Sequence, residues 1–175
     1  DLDDKVWVGT NSGVSAFAVV NFETPFLSEV ELYTTDNGLI DNVITAIFTS
    51  SDNSVWVGTD YGLSMYDGSN WVSYTEDDGL GDNRINHINE DYMGNIWVGE
   101  KNGISRYNGT SWISYGLADG LPFGGVNEIS FDSNNDLWLA NSIFGMIHFD
   151  GANFTTYNTN SGLISNSVRT IEIDE

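Results

Sequence analysis

Residues 91–99 read Asp91-Tyr-Met-Gly-Asn-Ile-Trp-Val-Gly99, and shorter versions of this stretch recur along the chain. Their shared feature is a tryptophan between two aliphatic residues, found at Val6-Trp-Val8, Val55-Trp-Val57, Ile96-Trp-Val98 and Leu137-Trp-Leu139. Trp56, Trp97 and Trp138 follow one another at intervals of 41 residues, and Trp7 precedes Trp56 by 49. A fixed period of this size indicates a repeat architecture, in which each unit is one supersecondary element.

Each repeat contains four short apolar segments separated by turn residues. Asp67-Gly68, Asn108-Gly109 and Asp150-Gly151 are dipeptides of the kind that join two antiparallel strands. No stretch shows the apolar period and the caps of a helix. We therefore predict an all-β fold, a β-propeller made of four-stranded antiparallel blades, with four repeats present. We letter the strands of a blade A to D, strand B carrying the tryptophan, and we predict that each tryptophan is buried between adjacent blades.

The repeats are assigned to residues 1–42, 43–83, 84–125 and 126–167, with a final strand at 168–175. Residues Asn21 to Ser28 have no counterpart in the other repeats and are predicted to be a surface insertion. The order of strands is B-C-D, three sets of A-B-C-D, and a last strand A at Val168 to Ile171. Residues 1–175 are therefore either one closed four-bladed domain, in which the last strand pairs with the strand of Trp7, or part of a larger propeller. The larger propeller is favoured, because uncovered blade faces would leave apolar surface exposed.

The composition narrows the classes of ligand. Hydrophobic residues make up 40% of the 175 residues, and 5 Lys and Arg stand against 26 Asp and Glu, a net charge of −21. Such a surface repels phosphate backbones and anionic lipid, so we expect no nucleic-acid partner. No apolar run is long enough for a membrane helix, so no membrane insertion is expected in this segment. The chain has no cysteine, which excludes thiolate chemistry and Cys-ligated metal; cations, cationic partners and neutral polar ligands such as sugars stay open.

The D–A and B–C loops open at the same end of every blade, which is where a propeller ligand is expected. The predicted ligand-binding residues in these loops combine cations, amides and aromatic rings: Arg84, Lys101, Asn83, Asn102, Tyr61 and Phe144. Amides bond hydroxyl groups and a ring stacks on a sugar, while Arg84 offers a two-pronged contact to a uronate or sulfate. Together these residues could hold an anionic or hydroxyl-rich end of a saccharide. The alternative is a set of ordinary polar turns in which Arg84 makes a surface ion pair.

The sequence supports metal binding and catalysis less strongly. Asp77, Asp78 and Asp82 could supply hard oxygen ligands, so calcium stays open, but no complete Asp-x-Asp-x-Asp-Gly loop is present and no other cofactor is expected. His87 and His148, the two histidines, define no metal site without a third ligand. No Gly-x-Ser-x-Gly motif supports nucleophilic catalysis. The many carboxylates leave a glycosidase pair open, and His87 on an inner strand leaves a propeller lyase open.

The segments Ile85 to Asp91, Gly94 to Gly99, Gly103 to Tyr107 and Asp119 to Leu121 resemble the two-component regulator propeller repeat. The resemblance recurs in each repeat. It implies a periplasmic or extracellular sensor region of a hybrid two-component regulator, and such regions often respond to oligosaccharides. It also implies further blades of the same polypeptide. The expected function is therefore non-catalytic recognition of a saccharide or of another protein. The alternatives are a propeller lyase or glycosidase, and a structural or adhesive domain of the cell surface.

Overall fold

The computed structural model describes residues 5–19 and 27–174, which form four antiparallel sheets. The first sheet has three strands, β1 (Lys5–Thr10), β2 (Gly13–Val19) and β3 (Leu27–Tyr33). The second holds β4 (Ile44–Thr49), β5 (Val55–Thr59), β6 (Leu63–Tyr66) and β7 (Trp71–Tyr74). The third holds β8 (Ile85–Glu90), β9 (Ile96–Glu100), β10 (Ile104–Tyr107) and β11 (Trp112–Tyr115). The fourth holds β12 (Val126–Phe131), β13 (Leu137–Asn141), β14 (Gly145–Phe149) and β15 (Phe154–Tyr157).

The predicted all-β blades are confirmed, because every strand pairs with its neighbour in chain order and the sheets pack in succession. Within residues 5–19 and 27–174, the remaining helical structure is three single turns of 3₁₀ helix in the D–A loops, at Glu76–Asp78, Leu117–Asp119 and Thr159–Ser161. No helix in the described part of the chain is long and apolar enough to cross a membrane. The predicted insertion at Asn21 to Ser28 lies partly outside the described residues, and its last two residues belong to β3 rather than to a loop.

One aromatic stack recurs in all four sheets. The tryptophan of strand B lies against the tyrosine of strand D in the pairs Trp7–Tyr33, Trp56–Tyr74, Trp97–Tyr115 and Trp138–Tyr157. Ring centroids are 5.7–5.9 Å apart, and the interplanar angles are 16–28°. Such stacks add to the free energy gained from burying the rings. The prediction of full burial holds for Trp56 and Trp97, each 4% exposed, whereas Trp7 and Trp138 are only partly buried.

Each sheet has two different faces. The forward face, turned toward the next sheet, carries the tryptophan, since Trp7 contacts Tyr66 and Trp56 contacts Tyr107. The backward face carries aliphatic residues of strand B: Val55 and Val57 of the second sheet lie in one core cluster with Val14 and Trp7 of the first. Each aromatic forward face therefore packs on a backward face that is aliphatic in strand B and aromatic in strands C and D. The backward face of the first sheet has no such cover, and Val6 and Val8 are 45% and 40% exposed.

The predicted last strand differs in the structure. Residues 168–174 form no strand, and β1 pairs only with β2 within the described residues, so the two do not close a ring. The segment nevertheless lies against the fourth sheet, because Val168 donates its N–H to the carbonyl of Asn141 (3.0 Å). Asn127 donates to the carbonyl of Val168 (2.7 Å), just as Asn86 donates to the carbonyl of Val126 (3.1 Å). The segment thus has the sheet-to-sheet bonds of a strand A, but no strand B beside it.

One carboxylate, that of Asp91, stabilises the A–B turn of the third sheet. Asp91 accepts backbone N–H groups from Met93 and Asn95 at Oδ1, and the Trp97 indole N–H and the Asn95 amide at Oδ2, all at 2.8–2.9 Å. Burial acts to raise the pKa of Asp91, but the bonds from Trp97, Asn95 and Met93 together outweigh it and lower that pKa. Asp132 binds Trp138 in the same way (3.0 Å). In the second sheet, Ser50 takes this place and the buried Trp56 indole N–H has no partner.

We expect Asp91→Asn to lower the free energy of unfolding by about 1–3 kcal/mol, because an amide nitrogen cannot accept the Trp97 N–H and leaves it unpaired. Urea unfolding followed by tryptophan fluorescence measures this loss. Asp77→Asn is the matched control, because Asp77 is exposed and its substitution should change stability by less than ~0.5 kcal/mol. Equal effects of the two substitutions would contradict the assigned role of Asp91.

Candidate functional site

The D–A and B–C loops form one surface, and we call residues 60–61, 82–84, 101–102, 123–125 and 141–144 the rim. Two equivalent backbone bonds tie the loops together. Lys101 donates its N–H to the carbonyl of Arg84 (3.0 Å), and Ser142 donates to the carbonyl of Gly125 (2.9 Å). Gly125 also lies close to the Lys101 carbonyl, since a Cβ at this glycine would be 3.7 Å from that oxygen. The rim is therefore continuous across the third and fourth sheets.

The two predicted cations have different surroundings. The guanidinium of Arg84 donates from Nε to Asp60 Oδ1 (2.9 Å) and from Nη2 to Asp60 Oδ2 (3.4 Å). The Nε–Nη2 edge of the guanidinium therefore binds Asp60. Both side chains of this ion pair are partly exposed, so the pair contributes little to the stability of the fold. Lys101 is exposed and has no ion-pair partner among the described residues. Among the described residues of the rim, Lys101 is thus the cation without an ion-pair partner, whereas Arg84 pairs with Asp60 through Nε and Nη2.

The predicted amides also make bonds within the protein. Asn102 donates to Asp82 Oδ2 (2.6 Å), while Asp82 Oδ1 accepts the N–H of Arg84 (2.9 Å). Asn83 accepts the N–H of Glu76 (2.8 Å). The same bond, to a residue seven positions earlier, recurs at Asn42 and Asn166. The side-chain carbonyl of Asn83 therefore stabilises its own loop. The asparagine found at the same position of three repeats is the sequence pattern that indicates this structural role.

The loop between the third and fourth sheets breaks this pattern. Phe123-Gly124-Gly125 stands where Asp82-Asn83-Arg84 stands one repeat earlier, so neither the turn-forming Asp nor the bracing Asn is present. The facing B–C turn is also one residue longer and contains Ile143 and Phe144. Buried Asn141 holds this turn by accepting the N–H groups of Ile143 and Phe144 (2.9 and 2.8 Å). Departures from a repeat that remove stabilising bonds are expected at functional positions.

These two loops expose an apolar patch on the rim. Phe123 is 58% exposed, Ile143 51% and Phe144 41%, and the side chain of Ile143 lies close to Gly124. Phe144 was predicted from the sequence, whereas Phe123 and Ile143 were not selected because single apolar residues in loops carry no distinct pattern. Tyr61, the other predicted ring, is 68% exposed two repeats away. The rim thus offers exposed aromatic rings and an ammonium group that has no ion-pair partner among the described residues.

Glu100 is a buried acid directly beneath the rim. It ends strand β9 with no exposed surface, and its Oε1 accepts the Ser105 hydroxyl (2.6 Å) and the Gly81 N–H (3.2 Å). Its Oε2 has no hydrogen-bond partner. Burial raises the pKa of Glu100 to about 8, against the opposing effect of the bonds from Ser105 and Gly81. A Cβ at Gly81 would lie 2.7 Å from Oε2, so this carboxyl requires a glycine opposite it.

The remaining candidates are separated from one another. Asp78 accepts the N–H and the hydroxyl of Thr75, and Asp77 is exposed, so Asp77, Asp78 and Asp82 do not converge on a common point. The imidazole of His87 accepts the N–H of Ile129 at Nδ1 (3.3 Å), and burial lowers its pKa, with Glu128 opposing this effect. His87 therefore bonds the next sheet rather than facing the rim loops. The structure does not test calcium binding, which stays a prediction.

The resemblance found in the repeats is confirmed by a family model described as two component regulator propeller, which matches residues 38–61. No curated protein matches the chain. Among solved structures, the extracellular domain assigned to a hybrid two-component system of B. thetaiotaomicron superposes with a TM-score of 0.81 at 23% identity, covering 95% of this chain and 23% of that one. The chain therefore spans about a quarter of the length of this neighbour.

Two further neighbours have other functions. PorZ, a surface component of the type-IX secretion system of Porphyromonas gingivalis, has a TM-score of 0.70 at 16% identity, over 97% of this chain and 28% of that one. Virginiamycin B lyase from Staphylococcus aureus has a TM-score of 0.66 at 20% identity, over 90% of this chain and 53% of that one. At such identities the likeness establishes the fold, a propeller-type array of blades, and leaves the ligand to the residues of the rim.

The buried acid gives a testable pH dependence. Between pH 4.5, the ordinary pKa of Glu, and about 8, the folded chain retains a proton on Glu100 that the unfolded chain has released. Stability relative to Glu100→Gln should therefore be greatest below pH 4.5 and fall as the pH rises, by up to ~1.4 kcal/mol per pH unit. Urea unfolding of both proteins at pH 5, 6.5 and 8 measures the difference, with Glu172→Gln as an exposed control. A difference that stays constant from pH 5 to 8 would contradict a protonated Glu100.

Proposed function

We propose that this chain is part of a non-catalytic recognition propeller in the periplasmic or extracellular region of a two-component regulator, and that its rim binds a saccharide. The observation that carries the proposal is the patch of Phe123, Ile143 and Phe144 beside Lys101, in loops that depart from the repeat. The match to the regulator propeller model and the likeness to an extracellular sensor domain support the same assignment.

The ligand favoured by the rim is an oligosaccharide with a uronate, sulfate or other acidic group. Exposed aromatic rings stack on the apolar face of a sugar, and the amide of Asn102 can bond its hydroxyl groups. Lys101 and the free edge of Arg84 supply the only exposed cations of the rim, in a chain whose net charge of −21 otherwise repels anions. A protein partner with an acidic, ring-contacting segment would use the same surface.

The chemistry of the rim supports recognition more than turnover. Its carboxylates Asp60 and Asp82 are held by Arg84 and Asn102, and Glu100 lies beneath the surface. His87, the histidine on which the lyase alternative depends, bonds the neighbouring sheet. A general acid and a general base need access to the substrate within hydrogen-bonding distance. Turnover of a glycan by the purified chain would replace this proposal with an enzymatic one.

Binding to a panel of neutral and acidic oligosaccharides, measured by calorimetry, tests the proposal. We expect Lys101→Ala and Phe144→Ala each to weaken a bound acidic sugar by at least ~1 kcal/mol, with a smaller loss for Arg84→Ala because its ion pair with Asp60 competes. Lys5→Ala and Tyr92→Ala are matched controls. Lys5 pairs with Glu31 away from the rim, and Tyr92, 65% exposed, lies in an A–B turn at the opposite end. A ligand affected equally by rim and control substitutions would place the site elsewhere.

The proposal also includes further blades. The backward face of the first sheet exposes Val6 and Val8, whose counterparts in the other sheets are 4% exposed or less, and residues 168–174 lie as a strand A without a strand B. Both features are what an arc of a larger propeller would show, because a preceding blade would cover the first face and a following one would pair with the last segment.

We therefore expect residues 1–175, studied alone, to self-associate or bind a hydrophobic dye through the uncovered face. Val8→Lys should reduce dye fluorescence and sedimenting oligomers, because it places a charge on that face. Met93→Lys is the control, since Met93 is 81% exposed at an A–B turn and away from both end faces. A monomer that binds no dye at high concentration would count against missing blades.

A further inference from the structure

The A–B end of the fourth sheet, opposite the rim, brings together two carboxylates and an imidazole. Asp132 and Asp136 belong to the turn after β12, and His148 lies on β14. One ligand atom of each residue lies within 4.8 Å of the others, and in the described part of the chain this is the one such group of three. We call these residues the Asp–His cluster. The sequence does not suggest this cluster, because 15 residues, including strand β13, lie between Asp132 and His148.

The surroundings hold the cluster in place. Asp132 Oδ1 accepts the N–H groups of Asn134 and Asp136 (2.9 and 3.1 Å), and its Oδ2 accepts the Trp138 indole N–H (3.0 Å). The ring of His148 packs on Trp138, with centroids 4.4 Å apart, and its Nε2 lies 3.0 Å from Asp136 Oδ2. Donors that orient a carboxylate and packing that orients an imidazole are the supports that metal ligands require. All three residues are partly exposed, so an ion can reach them.

The third sheet carries a matched site without these ligands. Its Asp91 binds Trp97 as Asp132 binds Trp138, but Asn95 stands in the place of Asp136 and Arg106 in the place of His148. Asn95 donates its amide to Asp91 Oδ2 (2.8 Å), and the Arg106 guanidinium lies 5.5 Å over the Trp97 ring. The third sheet therefore has an amide donor and a guanidinium at the two positions where the fourth sheet has Asp136 and His148.

At both positions the fourth sheet replaces a hydrogen-bond donor of the third sheet with a group that can bind a metal ion. Asp136 has a carboxylate where Asn95 has an amide donor, and His148 has an imidazole where Arg106 has a guanidinium. At both positions the fourth sheet therefore offers a lone pair where the third sheet offers a proton. Two carboxylates this close repel each other unless a positive charge lies between them. A cation held by the imidazole and both carboxylates would satisfy all three groups at once.

We propose that Asp132, Asp136 and His148 bind a divalent transition-metal ion of the Zn²⁺ or Co²⁺ class. One imidazole nitrogen and carboxylate oxygens are ligands that Zn²⁺ accepts, and three protein ligands leave a coordination position for water or for a group from a partner. Ca²⁺ and Mg²⁺ fit less well, because they prefer six or more oxygen ligands. The simpler alternative is an ion pair between His148 and Asp136 that binds no metal. The proposal is independent of the saccharide site on the rim.

Titration of the whole chain with Co²⁺, followed by visible absorption, and with Zn²⁺, followed by calorimetry, tests the proposal. We expect one equivalent to bind, with Co²⁺ displaced by Zn²⁺. Asp136→Asn and His148→Arg should each weaken binding at least tenfold. Both variants install the residues that the third sheet carries at these positions, so they should fold, and metal-free thermal melts check this. His148→Arg retains His87, so a lost Co²⁺ spectrum assigns the nitrogen ligand to His148.

Glu172→Gln is the matched control for loss of one surface carboxylate, because Glu172 is exposed and outside the cluster, and it should leave Co²⁺ and Zn²⁺ binding unchanged. Three results would overturn the proposal. They are absence of Co²⁺ and Zn²⁺ binding, which leaves the ion pair only; binding that survives both cluster substitutions; and equal binding of Mg²⁺, which would indicate diffuse attraction by the acidic surface.

Discussion

The stack of a strand-B tryptophan on a strand-D tyrosine is the interaction on which the rest of the fold depends. It gives each sheet an aromatic forward face, which covers the aliphatic strand B and the aromatic residues of strands C and D on the next sheet. A single sheet with one apolar face on each side cannot be stable in water, so every blade relies on both neighbours. The A–B turns add a second constraint where a carboxylate receives the tryptophan N–H, in the third and fourth sheets but not in the second.

The parts of the structure that follow the repeat could be predicted from the sequence. The 41-residue spacing located the sheets because each strand-B tryptophan must meet the same partner in the next blade. The apolar pattern of Val168 to Ile171 predicts a strand, but it cannot show whether a pairing strand is beside it, and residues 168–174 form no strand in the structure. Likewise, the amide of Asn83 suggests ligand binding, but the side chains of Asn42, Asn83 and Asn166 each accept a backbone N–H of their own loop. A feature that recurs in every repeat is usually structural, whereas a departure from the repeat is informative about function.

The sequence pattern could not predict features that depend on contacts between distant segments of the chain. The burial of Glu100, the grouping of Asp132 with His148, and the exposure of Phe123 all depend on contacts between segments distant in the sequence. Local propensity places each of these residues on a strand or loop, but only the packed sheets decide which are desolvated. The rim illustrates the same point: Arg84 and Lys101 look equivalent in sequence, yet one shares its charge with Asp60 and the other does not.

The fit between Glu100 and Gly81 bears on how such an array can change over evolutionary time. The position of Gly81 is taken by Ile40 in the preceding loop, where the facing strand ends in Thr59 rather than Glu. A larger side chain at position 81 would displace the Glu100 carboxyl, so Gly81 and Glu100 are a matched pair of residues. Blades that look alike are therefore not interchangeable. A repeat moved to another place in the array would lose such matched contacts with its neighbour.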